Sequence, residues 1–185
     1  HNNIKIRNLL HDQNFTNSIK HFNEQALFID IAVTLPNGEI VIIPFKLKFD
    51  NYSIDPEIKV IILNDLKTTG KPVSYFMGNM VPTLDDKGKK TGEQWINGSM
   101  QTYHYYRQMG IYMMILQIYM KSQGYTDYSY KANMMVVEST PDFKSDVFSV
   151  SDSYIKKGLE EFKELICRVA WHEYYGYDKQ LNEDE

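Results

Sequence analysis

The 185-residue chain has one cysteine, Cys167, which excludes an internal disulfide framework, an iron–sulfur cluster and any zinc site built on several thiolates. Cys167 falls on an apolar helical stripe and is expected to be an inert core thiol. Long hydrophobic runs are also missing. The longest, within "GIYMMILQIYM", is interrupted by Gln117 and too short to cross a bilayer. The first residues lack a signal-peptide pattern, so a soluble, cytoplasmic protein with no membrane partner is expected. Excess positive charge is absent too: 20 Lys and Arg stand against 24 Asp and Glu, a net charge of −4. That counts against coating nucleic acid by bulk electrostatics and leaves a local basic groove open. Part of the negative charge is the closing "NEDE". No phosphate-binding loop is present, because "TTGKP" and "GKKTG" lack the required glycine-to-lysine spacing. No nucleophile-elbow pattern occurs either.

What is present fits one domain over 1–185, with a peripheral segment at 1–25, a long loop at 70–99 and an acidic tail at 178–185. The chain begins at His1 rather than methionine, and a trimmed chain whose upstream part carries a further helix is expected. A short helix is predicted around Thr16 to Asn23. "ALFIDIAVTL", the turn Pro36-Asn37-Gly38-Glu39 and "IVIIPFKLKF" read as a β-hairpin. "NYSIDPEI" then supplies a turn and "KVIILNDLKT" a third antiparallel strand. A helix is predicted from Met100 to Ser122; Gly110 in its interior, costing roughly 1 kcal/mol relative to alanine, implies close backbone packing. "KANMMVVEST" and "DVFSV" are further strands. A last helix, Ser153 to Tyr174, turns Ile155, Leu159, Phe162, Ile166 and Val169 inward. The order predicts an α/β fold with a mixed central sheet flanked by helices.

The chemistry is concentrated at two strand ends. Asp50 closes "IPFKLKFD", and Asp65-Leu66-Lys67 lies at the end of the next strand. Alternation puts Asp65 and Lys67 on one face and sends Leu66 into the packing on the other. Two carboxylates and an ammonium converging on one place suit a hard divalent cation acting on a phosphate. The plainer readings are a turn cap for Asp50, a solvent-facing lysine for Lys67 and ordinary packing for Gln108 and Tyr112. Asp65 is harder to dismiss, since an unpaired carboxylate beside a buried face is costly unless a cation relieves it.

These features together resemble the PD-(D/E)xK nuclease superfamily. "LNDLKTTGK" looks like the catalytic strand of RecE-type and RecB-like exonucleases, and Gln108 and Tyr112 in "YYRQMGIY" fit their QxxxY motif. The resemblance spans roughly residues 26 to 175. It departs in having Phe49 where the superfamily's proline stands, and in lacking a clear amino-terminal helix bearing a glutamate or histidine; His11, His21 and Glu24 are the nearby candidates. The lone cysteine excludes the iron–sulfur branch. The resemblance implies a restriction-endonuclease-like core and a DNA exonuclease similar to the lambda exonuclease. It implies that Asp50, Asp65 and the Leu66 carbonyl ligate Mg²⁺ or Mn²⁺, that Lys67 positions the attacking water, and that Gln108 and Tyr112 hold Lys67 or a phosphate. Lys46, Lys48, Lys71 and Arg107, with the Lys87, Lys89 and Lys90 loop, are expected to meet DNA phosphates. It further implies duplex DNA ends as partner, a role in phage or mobile-element recombination in a bacterial cytoplasm beside a single-strand annealing protein, and a homo-oligomer. A structure-specific or nicking endonuclease and a metal-free DNA-binding module are the alternatives.

Overall fold

A computed structural model describes residues 18–139 and 143–179. The first strand, β1 (Lys20–Thr34), pairs antiparallel with β2 (Ile40–Asp55). Gly38, at φ +87°, makes the turn between them, and Asn37 Oδ1 accepts the Glu39 N–H. β2 pairs antiparallel with β3 (Val60–Thr69) across a tighter turn, where the Asp55 carboxylate accepts the Glu57 and Ile58 N–H groups. Asp50 therefore does not close its strand. "NYSID" continues β2, and the turn begins only at Pro56. The predicted helix over Thr16 to Asn23 is replaced from Lys20 onward by β1, while its first two residues lie outside the described ones.

The segment read as a long loop holds a short 3₁₀ turn (Val73–Tyr75) and an antiparallel hairpin, β4 (Asn79–Leu84) with β5 (Lys90–Ile96). The hairpin turn is held by Asp85, whose carboxylate accepts the Lys87 and Lys89 N–H groups. Its strands were illegible because β5 is exposed almost throughout and the half-buried face of β4 carries Asn79, Val81 and Thr83, so no apolar alternation marks them. The predicted helix at Met100 is two: α1 (Ser99–Thr102) and α2 (Tyr105–Ser122), broken where His104 takes a left-handed φ of +53°. β6 (Ser129–Glu138) then runs parallel to β3, and β7 (Ser145–Ser149) returns antiparallel. The closing helix is α3 (Asp152–Tyr175), capped by the Ser151 hydroxyl. The five-stranded sheet has the order β1-β2-β3-β6-β7.

Met109, Met113, Leu116 and Met120 of α2 pack with Ile61, Leu63, Ala132, Met134 and Val136 of the sheet. A second apolar cluster joins Phe162, Ile166, Ala170 and Trp171 of α3 to Val33, Leu35 and Ile43 of the first hairpin. Of the predicted α3 stripe, Phe162 and Ile166 are buried, Ile155 and Leu159 pack half-buried against the cores, and the stripe ends on Ala170 and Trp171 instead of Val169. Val169 is exposed, and so is Cys167, which is a surface thiol rather than a core one. The Gly110 expectation holds. A Cβ there would stand 2.6 Å from the Leu159 nitrogen, and one on Gly158 would stand 2.0 Å from the Tyr106 carbonyl oxygen. The two helices cross backbone against backbone.

Candidate active site

β2 and β3 are paired from Asp55↔Val60 to Asn51↔Asn64 and no further. Asp50 and Asp65 come next on each strand, at the fork where the ladder ends. The Asp50 side chain reaches across it: its Oδ2 accepts the Leu66 N–H at 2.8 Å. The pairing of β1 with β2 also skips Asp50, passing from Asn23↔Asn51 to Gln25↔Phe49, with Glu24 at φ +55° opposite. Phe49 and Tyr52 enter the same core although three residues apart, so strict alternation slips at this point.

Asp65 is only 1% exposed. Its Oδ1 accepts a hydrogen bond from Gln108 Nε2 at 3.2 Å, which places the helix α2 amide on the strand carboxylate. Its Oδ2 is buried, and Lys67 Nζ lies 2.5 Å away as an ion pair rather than a well-aligned hydrogen bond. Burial pushes the Asp65 carboxyl above the usual carboxylate range; the Lys67 charge and contact pull it down, and the Asp50 charge raises it again. Asp65 and Lys67 thus share the inner face, as alternation requires. Leu66 takes the other face and is 42% exposed there, not packed as expected.

The Tyr112 ring meets Phe49 edge-on, with centroids 5.4 Å apart, and so braces the residue before Asp50. The aromatic neighbour of Lys67 is Tyr105, whose ring centroid lies 5.0 Å from Nζ. Tyr105 stacks on Phe76, and Phe76 on Phe148, so the segment between β3 and β4 supports the lysine indirectly. Glu138, buried on β6, accepts the Val73 N–H at 2.8 Å and anchors that same segment. Sequence reasoning missed Tyr105, Phe76 and Glu138. Of these, Tyr105 alone falls at helical spacing from a buried residue of α2, one turn before Met109.

The proposed phosphate contacts fare unevenly. Lys71 is exposed, and Lys46 is exposed with its ammonium over the Phe28 ring. Lys48 is paired with Glu24. Arg107 grips Glu161 with two nitrogens, at 3.0 and 2.6 Å, and Tyr106 donates to the same carboxylate. Burial raises the Glu161 carboxyl, but these donors outweigh it and hold it below the ordinary range. Arg107 is therefore engaged within the helix pair. Of the candidates for a further acidic or imidazole ligand, Glu24 is taken by Lys48, and both ring nitrogens of His21 are buried without a partner. His11 lies outside the described residues. Among the described residues no three His, Cys, Asp or Glu side chains are grouped to hold a metal. The donors on hand are two hard carboxylates, one with a buried oxygen lacking a proper hydrogen bond. Hard carboxylate oxygens of this kind are the donors a divalent cation takes.

No family model matches the chain, and no curated protein does. It is similar to a crystal structure from Eubacterium rectale of a protein provisionally named an exonuclease, at 14% identity and a TM-score of 0.54. The match covers 96% of this chain and 59% of that one. The likeness is one of fold: an α/β restriction-endonuclease-like core with a mixed five-stranded sheet.

Proposed function

We propose that the protein is a divalent-cation-dependent deoxyribonuclease that hydrolyses phosphodiester bonds from DNA ends. The observation that carries this reading is Asp65: a buried carboxylate beside Asp50, with one oxygen left to an ammonium alone. A carboxylate placed so is costly unless a cation sits with it. Asp50, Asp65 and the Leu66 carbonyl would hold Mg²⁺ or Mn²⁺. A bound ion of this kind supplies charge neutralisation at the phosphate and makes water a stronger nucleophile near neutral pH.

The chain's own groups do the rest. Lys67, held between Asp65 and the Tyr105 ring, has donors to orient a water and to offset charge on the phosphate. Gln108 fixes the rotamer of Asp65 from helix α2, and Tyr112 sets Asp50 through Phe49. The likeness of fold to the Eubacterium rectale protein supports a nuclease, and its name supports action from ends. Lys46, Lys71 and the hairpin lysines Lys87 and Lys89 are the cations we assign to the DNA backbone. A place in phage or mobile-element recombination, with a single-strand annealing protein and a homo-oligomer in a bacterial cytoplasm, completes the proposal.

End-labelled linear duplex and covalently closed circles, incubated with Mg²⁺, test it. Release of mononucleotides from the linear DNA with the circles intact is expected. Cut circles would replace the reading with an endonuclease. Intact DNA of both forms, together with no Mn²⁺ binding, would leave a DNA-binding module without chemistry.

A further inference from the structure

One row of polar side chains, four amides and a hydroxyl, runs across the whole sheet. Asn23, Asn51, Asn64, Asn133 and Ser149 occupy matching register positions on β1, β2, β3, β6 and β7. Their hydrogen bonds run head to tail. Ser149 Oγ donates to Asn133 Oδ1 at 3.3 Å, and Asn133 Nδ2 to Asn64 Oδ1 at 3.0 Å. Asn64 Nδ2 donates to Asn51 Oδ1 at 2.7 Å, and Asn51 Nδ2 to Asn23 Oδ1 at 2.8 Å. The two central amides are 0% exposed.

Four asparagines in one row are a poor way to make a sheet, because asparagine is depleted in strands and a buried amide must find every partner inside the protein. Their place gives the reason. Asn51 and Asn64 form the last bonded pair of the β2–β3 ladder, and the neighbouring residues on the open side are Asp50 and Asp65. Past this point no backbone pairing joins the strands. The one link described there is the bond from the Leu66 N–H to Asp50 Oδ2.

We propose that Asn51 and Asn64 are positioning residues: their amide pair clamps the fork between β2 and β3, and so sets where the Asp50 and Asp65 carboxylates stand. A side-chain bond across the last pair resists fraying of the ladder toward the fork. It also fixes register at a place where β2 slips from strict alternation, so that Asp50 meets the Leu66 N–H. The further amides on Asn23 and Asn133 keep the central pair oriented by giving each a second partner.

The test compares the full chain with Asn51→Leu/Asn64→Leu. Replacing both buried amides removes their need for partners together, and the amides left behind, on exposed Asn23 and half-buried Asn133, can turn to water. Hydrogen–deuterium exchange followed by NMR reads the Leu66 amide. Exchange at Leu66 at least tenfold faster than in the unaltered chain is expected, with the amides of the β3–β6 ladder keeping their protection. Uniformly faster exchange at both places, or an unchanged Leu66, would reduce the row to general sheet stability and overturn the proposal. A second readout, Mn²⁺ affinity, rests on the nuclease reading, and an at least tenfold loss in the double variant is expected. If the unaltered chain binds no Mn²⁺ while Leu66 exchange still accelerates selectively, the metal reading fails and the clamp stands. Wild-type Mn²⁺ affinity in the double variant would overturn the claim that the clamp sets the carboxylates.

Discussion

Asp65 carries two opposed demands, and its behaviour with pH separates them. Its carboxyl is raised by burial, so the folded, metal-free chain keeps that proton to higher pH than the unfolded chain, which releases it near pH ~3.9. Stability from this group is therefore greatest below that point and falls as pH rises through the folded value. Asp65→Asn removes the titration. In chelator, urea denaturation across pH 4 to neutral should show the variant gaining on the unaltered chain as pH rises; parallel curves would mean that burial does not burden this carboxylate. Lys67 and a cation compete for the same oxygen. Lys67→Ala is accordingly expected to abolish cleavage while binding Mn²⁺ at least as tightly as the unaltered chain, measured by calorimetry and a gel assay. Retained cleavage would remove the lysine from the chemistry. The D-x-K spacing was legible because alternation alone places Asp65 with Lys67. The exposure of Leu66 was not, because alternation says which residues share a face and leaves open what covers the opposite one.

At the scale of elements, the helix pair decides whether Gln108 reaches the strand. α2 brings Gln108 to Asp65 only as closely as its crossing with α3 allows, and that crossing is made by Gly110 and Gly158. Alanine improves helix propensity by roughly 1 kcal/mol, but overpacking a tight contact typically costs about 1–3 kcal/mol. A Cβ 2.0 Å from the Tyr106 carbonyl meets backbone rather than a movable side chain, so the clash should win. Gly158→Ala is expected to lower stability by about 1–3 kcal/mol in urea titration and to reduce cleavage with it. A stabilised variant would show that the helices stand farther apart. Gly110 signalled this contact in the sequence, since a glycine inside an apolar stripe has little other use there. The partner glycine left no such signal, because the expected α3 stripe of Ile155, Leu159, Phe162 and Ile166 flanks Gly158 without including it, and at its end a buried Ala170 and Trp171 take the place expected of Val169. The β4–β5 hairpin was hidden for another reason: β5 is exposed almost throughout and the half-buried face of β4 is mostly polar, so neither strand leaves an apolar period.

For the molecule as a whole, the order of strands and helices was readable because its central strands are apolar and bounded by turn chemistry at Asn37-Gly38 and Asp55-Pro56. The sheet then brings together what lies far apart in the chain. Asp50 and Asp65 stand as the next residues past the end of one ladder, and Gln108 reaches Asp65 through the crossover that returns β6 parallel to β3. The asparagine row could not be read, because its members become neighbours only through a register that spans all five strands. No helix among the described residues is long and apolar enough to cross a membrane, which agrees with the chain's broken hydrophobic runs. The central claim is that the fork between β2 and β3 is a cation site built on two carboxylates. Anomalous diffraction from a crystal soaked in Mn²⁺ tests it most directly. One peak within coordination distance of both Asp50 and Asp65, lost in Asp65→Asn, is the expected result. Soaked crystals with no peak at the fork, in a protein that still cleaves DNA with Mn²⁺, would contradict it.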